Sequence, residues 1–385
     1  MQQTRVHSPG ALARSVRLFG LALGVGFIVT LGACSSSKPK PAPLESFEPI
    51  RTVSVVWSQG LGTVEGAAGL TFVGDSVIAA SAGGDVVALS LQNGSRQWEL
   101  DVRSRLSTAA GSDGRFTAVV TSSNELVVFE KGKEIWRERQ PGRVASAPFV
   151  AGERVFIQAV DRTVRAYDAV DGRWLWNYQR AGGESLALAV PGVVTSFRDT
   201  LLVGQGARLI ALDPTKGSPR FEANLGTPRG SNEVERLADL VGPLAPVEGD
   251  VCVRAFQLAV GCVNASTGAV RWTRPQAGAR AIAANADVVV GADSADRVSA
   301  WKASSGDILW RVDRFTHRSL SGMTIWGDLV VAADADGYLH LLALDDGRTV
   351  GRFSLDAPLE SAPTVKNGLL FAQTRRGTVY ALRTN

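Results

Sequence analysis

The chain has 385 residues, 45% of them hydrophobic and 7% aromatic, with 41 Lys and Arg against 37 Asp and Glu. Residues 1–33 hold three of those Arg and no acidic residue, so the rest of the chain is nearly neutral, 38 basic against 37 acidic. This balance excludes a global attraction to nucleic acid or to an anionic surface, and with only His317, His340 and two cysteines after Cys34 a zinc site is not expected.

Taken in chain order, Arg5, Arg14 and Arg17 come first, before an apolar stretch from Leu18 to Thr30. That stretch is too short and too rich in glycine for a membrane span and reads as a processing signal. It ends in Leu31-Gly32-Ala33-Cys34, which resembles the lipobox of bacterial lipoproteins. Small residues suit the narrow site of a signal peptidase, and the Cys34 thiol can take a diacylglyceryl group before cleavage. The alternative is an ordinary secretory signal with an incidental cysteine. The resemblance implies a signal peptide over 1–33, lipidation at Cys34 and, with Ser35 rather than Asp in second place, sorting to the outer membrane. Residues 34–48 are rich in Ser, Pro and Lys and read as a flexible, extended tether. Residues 49–385 remain for the folded domain.

Within that domain a unit of roughly forty residues recurs. Its markers are the glycines Gly94, Gly132, Gly172, Gly217, Gly268, Gly306 and Gly347. Each follows a strand-like run such as "TVRAYDA" or "RLIALDP". Most have an aromatic four residues on: Trp98, Trp136, Trp176, Phe221, Trp272 and Trp310. The seventh unit departs, with Gly351 at that place and Phe353 two later. The runs are mostly Val, Ile, Leu, Tyr and Phe, bounded by Gly, Asp, Asn and Ser, with no helical period. Pairs such as Asp171-Gly172 supply the positive dihedral of a tight hairpin. Each unit therefore reads as four short antiparallel strands. One such sheet cannot cover both its faces, and stacking the sheets radially does. The aromatic falls on the outermost strand, where its ring can pack on the next blade and its N–H can reach a carbonyl.

Seven complete units and a partial eighth, near 361–366, 369–374 and 378–383, predict an all-β, eight-bladed β-propeller. The last copy lacks an aromatic strand, and "RTVSVVW", ending in Trp57, supplies one. Residues near 52–58 are expected to close the ring as the fourth strand of the last blade, removing an open edge. Cys252 and Cys262 flank a hairpin with its tip at Phe256-Gln257. A cross-strand disulfide and two buried free thiols both fit this placement.

The pattern D-x-x-[TD]-G-x-x-x-W resembles the PQQ-like repeat of quinoproteins, with Asp168, Asp213 and Asn264 in its first position. One implied reading is a PQQ-dependent dehydrogenase or ligand-binding propeller. That chemistry needs calcium held by carboxylates, a catalytic Asp and, in those relatives, adjacent cysteines. The inferred inner strands, such as "SAPFVAG" and "GPLAPVE", are small and apolar instead, so no catalytic, cofactor or metal residue is assigned. Lipobox, tether, eight PQQ-like blades and N-terminal closure together resemble the BamB family of outer membrane protein assembly factors. The most specific stretch is "GSNEVERLADL", Gly230 to Leu240, an insertion between the fourth and fifth blades.

Asn232 with Glu235 reads as the cap of a short helix, which would set Val234, Leu237, Ala238 and Val241 on one face. A second connector, "RAGGESLALAVPG" from Arg180 to Gly192, joins the third and fourth blades. Both run from an outermost to an innermost strand, so they should share one face of the disc and lie side by side. Leu186 and Leu188 would then form an apolar ridge beside charged residues, the alternative being that they fold inward as local core. The resemblance implies that these loops bind the POTRA domains of BamA, with Leu186, Leu188 and Asp239 at matching contact positions. The chain departs from the family at Ala189 and Val241, where Arg and Asp are usual, and Glu235, Arg236 and Leu237 stand nearby. It further implies a non-enzymatic scaffold of the Bam complex at the periplasmic face of the outer membrane. Unfolded outer membrane proteins adding strands to blade edges are a further expected partner.

Overall fold

A computed structural model of the chain describes residues 39–385, apart from 67, 182–187, 189–191 and 233. Its described strands form eight separate four-stranded antiparallel sheets. Seven follow chain order: blade 1 spans 70–101, blade 2 111–139, blade 3 149–178, blade 4 194–224, blade 5 240–275, blade 6 283–312 and blade 7 322–354. The eighth combines Thr364–Lys366, Leu369–Gln373 and Thr378–Thr384 with the N-terminal strand Val53–Gly60. That strand pairs antiparallel with Thr378–Thr384, setting Trp57 opposite Ala381. The ring therefore closes through the two ends of the domain, as the sequence predicts.

The second and third strands of each blade carry the core. Val77–Ala80 and Val86–Leu89 are almost wholly inaccessible, as are Leu201–Val203 and Leu209–Leu212. They are apolar on both faces because each sheet is covered on both faces by its neighbours. Outer strands alternate instead: in Arg96–Asp101 only Trp98 and Leu100 turn inward. First strands of adjacent blades touch one another, as in blades 1 and 2 and blades 5 and 6, and so converge on the axis.

The recurring glycine and aromatic meet across blades rather than within one. A Cβ on Gly94 would lie 2.6 Å from the Trp57 ring, on Gly172 2.7 Å from Trp136, on Gly217 2.5 Å from Trp176, and on Gly306 2.5 Å from Trp272. Gly268 stands in the same way under Phe221, and Gly347 under Trp310. The indole N–H of each Trp in this set donates to the carbonyl three residues before the glycine it covers: Leu91, Ala169, Pro214, Ala303 and Leu344, at 2.7–3.1 Å. A β-bulge immediately precedes each of these aromatics and re-aims the strand toward the next blade. Glycine is thus needed twice, for a positive φ at the turn and for a bare face on which the ring lies.

Two units break the rule, each for a local reason. Trp98 packs on the core shared with blade 2, but among the described residues its N–H has no carbonyl partner, and a Cβ on Gly132 would meet Leu100 instead. The blade 2 turn is the cause. It is shortened to Lys131-Gly132, both with positive φ, so the carbonyl offered elsewhere is missing. In blade 7, Gly351 replaces the aromatic because blade 8 has no hairpin between its third and fourth strands, hence no turn to cover. The incoming chain takes that space: Gly351 lies against the Arg51 carbonyl, and Ile50 and Arg51 both donate to the Val350 carbonyl.

Cys252 and Cys262 face each other on the second and third strands of blade 5 and are joined as a disulfide. The bridge spans ten residues of sequence and lies in the core. Replacing both by alanine is expected to lower the unfolding free energy by about 2–3 kcal/mol, the loop-closure value for so short a ring. Urea titration of oxidised, reduced and doubly substituted protein checks this, with the last two matching.

Within the stretch read as a tether, residues 42–47 lie against blades 6 and 7. The Ala42 N–H donates to Thr316 and its carbonyl accepts from Arg318. The Glu45 carboxylate meets Arg314 and the Thr349 hydroxyl, and Arg352 stacks over Phe47. Beneath them Arg318 pairs with the buried Asp334, which also holds His340 at 2.8 Å.

Candidate functional site

In a four-stranded meander the turns after the first and third strands share one face. The turn after the second strand and the connector to the next blade share the other. The connectors after blades 3 and 4 therefore emerge on the same face from neighbouring blades.

Asp239 holds them together. One carboxylate oxygen accepts from Nε of Arg162, in the turn between the second and third strands of blade 3, at 2.8 Å. The other accepts from the Leu188 backbone N–H of the first connector, also at 2.8 Å. The Asp239 carbonyl accepts from the Phe256 N–H of blade 5. The Arg162 carbonyl in turn accepts from the Gln205 side chain of blade 4. One acidic residue thus ties three blades and both connectors. Its side chain is only 14% exposed, and that of Arg162 9%. The ion pair is shielded enough for removal of one partner to matter.

Among the expected site residues, Leu188 is half-buried and lines a small cleft with Ser146, Gln158, Arg162 and Asp239. Leu186, like Cys34, lies outside the described residues. Asp239 faces inward as the clasp. Glu235 is exposed, while Arg236 and Leu237 are half-buried.

The predicted short helix is not formed. Asn232 Oδ1 does accept from the Glu235 N–H at 2.9 Å, as a cap should. The Ser231 N–H and hydroxyl both donate to Glu235 Oε2, and these bonds, the backbone one first, hold the Glu235 carboxyl below the usual range. The result is a single capped turn. Ala238 and Leu240 are drawn into the blade 4–5 core and Asp239 is drawn to Arg162, so the chain straightens before a second turn can close. Val234, expected on the apolar face, is 67% exposed instead.

Three buried cations among the described residues escaped the sequence reading, Arg318 above and two more. Arg162 sits in a turn with no flanking motif. Arg254, on the second strand of blade 5, is fully inaccessible and donates to the Gln276 side chain and carbonyl. Burial pushes its guanidinium down to about 10. Among the described residues no three His, Cys, Asp or Glu are grouped to hold a metal ion.

The family model described as "Outer membrane protein assembly factor BamB" matches residues 49–110, 82–312 and 302–385. The chain belongs to the BamB family. BamB of Burkholderia pseudomallei is 32% identical over 367 residues, covering 92% of this chain and 95% of that protein. BamB of Bordetella pertussis is 30% identical, covering 93% and 95%. The crystal structure of BamB from Moraxella catarrhalis superposes with a TM-score of 0.77 at 22% identity, covering 86% of this chain and all of that one. Quinohemoprotein alcohol dehydrogenase from Comamonas testosteroni superposes with a TM-score of 0.63 at 14% identity, covering 86% of this chain and 76% of that one. That likeness establishes a common propeller and nothing of the dehydrogenase's chemistry. The BamB relatives are assembly factors for outer membrane proteins, and the quinoprotein reading of the repeat is not favoured.

Proposed function

We propose that the chain is a lipid-anchored, non-enzymatic scaffold of the Bam complex at the periplasmic face of the outer membrane. In this reading Cys34 carries the acyl chains and the connector face of the ring receives the POTRA domains of BamA. The observation that carries it is the Asp239 clasp. A shielded carboxylate fixes two long connectors beside one another, an arrangement that preorganises a docking surface and lowers the entropic cost of binding. Half-buried Leu188 and Leu237, exposed Val234 and the charged Glu235 and Arg236 give that surface apolar anchors with a polar rim.

Leu186→Asp combined with Leu188→Asp is expected to lower recovery of BamA in affinity purification at least about tenfold, the loss of roughly one small anchor, with the melting temperature nearly unchanged. Undiminished co-purification removes this surface from the proposal. The anchor is tested separately. Three acyl chains hold a protein firmly at a bilayer, so Cys34→Ala should move the protein from the membrane pellet to the soluble fraction. Retention in the pellet after a carbonate wash would count against Cys34.

A further inference from the structure

The face opposite the connectors carries a feature that the docking proposal does not use. Blades 1–7 join their third and fourth strands by a turn. Blade 8 cannot, because its third strand ends at Thr384 and its fourth begins at Val53. On the same face, beside the blade 1 turn, a groove of about 600 Å³ opens between blade 8 and blade 1. Half-buried Val56 and Leu369 give it an apolar lining backed by the buried Leu91 and Phe371, and the exposed Gln92, Lys366, Asn367 and Arg383 complete it.

Arg383 marks the difference between this blade and the others. Trp57 is opposite Ala381, so Arg383 stands two residues past the partner of the outer-strand aromatic. The same place holds Asp168, Asp213 and Asn264 in blades 3, 4 and 5. There the side-chain oxygen accepts from the turn's own N–H groups, at Val170, Thr215 and Thr267. In blade 8 the acceptor is replaced by an exposed guanidinium with no turn to cap. Among the described residues neither Arg383 nor Lys366 has a carboxylate partner. The seam thus offers an apolar trough with two unneutralised cations, complementary to an apolar chain bearing negative charge.

We propose that this groove is a docking site for an extended peptide segment that carries a carboxylate side chain beside an apolar one. The apolar side chain enters between Val56, Leu91 and Leu369, and the carboxylate lies between Lys366 and Arg383.

The test uses the full mature chain with Cys34→Ala and labelled Ile, Leu and Val methyl groups. The probes are acetyl-Leu-Glu-Leu-Glu-amide, its lysine counterpart acetyl-Leu-Lys-Leu-Lys-amide, and phosphatidylglycerol vesicles. The acidic peptide is expected to shift the Val56, Leu91 and Leu369 methyl signals in a saturable way. The lysine peptide should not. Lys366→Glu with Arg383→Glu, both at exposed positions, should weaken acidic-peptide binding about tenfold, as two surface ion pairs are reversed, with the melting temperature unchanged. No saturable shift at millimolar acidic peptide, equal shifts from the lysine peptide, or unchanged binding by the doubly reversed protein would each overturn the proposal. So would vesicle binding that depends on the two cations while the peptides do nothing, since the groove would then serve a lipid headgroup. None of these readouts involves BamA or the acyl anchor, so failure here leaves the connector-face reading standing, and the reverse.

Discussion

Deletion of Arg51–Trp57 is expected to lower the melting temperature of the mature chain by more than about 10 °C. The strand removed supplies the outer edge of blade 8 and the pairing with Thr378–Thr384 that closes the ring. Trp57 is buried between blades 8 and 1, donates its N–H to Leu91 and packs near Phe371 and over Gly94. Losing such a ring costs about 3–5 kcal/mol on its own. Val53 also packs on the blade 7–8 core and Val56 on the blade 8–1 core, and the ladder to Thr378–Thr384 is lost with them. At about 2 °C per kcal/mol for a chain of this size, Trp57 alone accounts for most of the shift. The deletion also bares Thr378–Thr384 as an unpaired edge, an invitation to strand pairing between molecules. Calorimetry with light scattering reads both effects. Trp57→Phe, which keeps an apolar ring but loses the donor, should fall well short of the deletion. An unaltered transition in the deleted chain would show that the ends do not carry the ring's cohesion.

The repeat made this architecture legible because a propeller copies its local chemistry once per blade. Turn glycines, apolar runs and outer aromatics all recur at one spacing, and the count of units gives the count of blades. The closure was legible for a related reason: one blade lacked an aromatic strand and one unmatched aromatic strand stood at the other end. What the spacing could not reveal is which glycine each aromatic meets. The outermost position of the aromatic points to the next blade, as found, but not to that blade's turn glycine as the surface on which the ring lies. The exception at Gly351 becomes intelligible only once the absent eighth turn is seen. The capping pair Asn232 and Glu235 was a sound local signal, but it fixes one turn and not its continuation. Continuation lost to long-range partners, the core for Ala238 and Arg162 for Asp239. Arg162 itself left no mark, since a lone arginine in a turn has the same local pattern whether it points to water or to a carboxylate in another blade.

The cross-blade contact yields a sharper expectation at single residues. Gly306→Ala should destabilise the protein by about 3 kcal/mol or more, while Gly327→Ala should cost about 1 kcal/mol. Both glycines have positive φ, 71° and 62°, so both substitutions bear the penalty of a left-handed alanine. They differ in what the new methyl meets. At Gly327 nothing lies within 4 Å, whereas at Gly306 the Trp272 ring is 2.5 Å away. The ring has little room to retreat, because its N–H is tied to Ala303 at 2.7 Å and its body is packed in the blade 5–6 core. Trp272→Ala removes the obstacle, so Gly306→Ala in that background should cost only the conformational penalty. The coupling between the two sites, read from denaturant titrations of the four proteins, is expected to be about 2 kcal/mol. Additivity of the two substitutions would mean that the glycine recurs for its dihedral alone. The interlock between blades would then have to come from the indole hydrogen bond and the bulge.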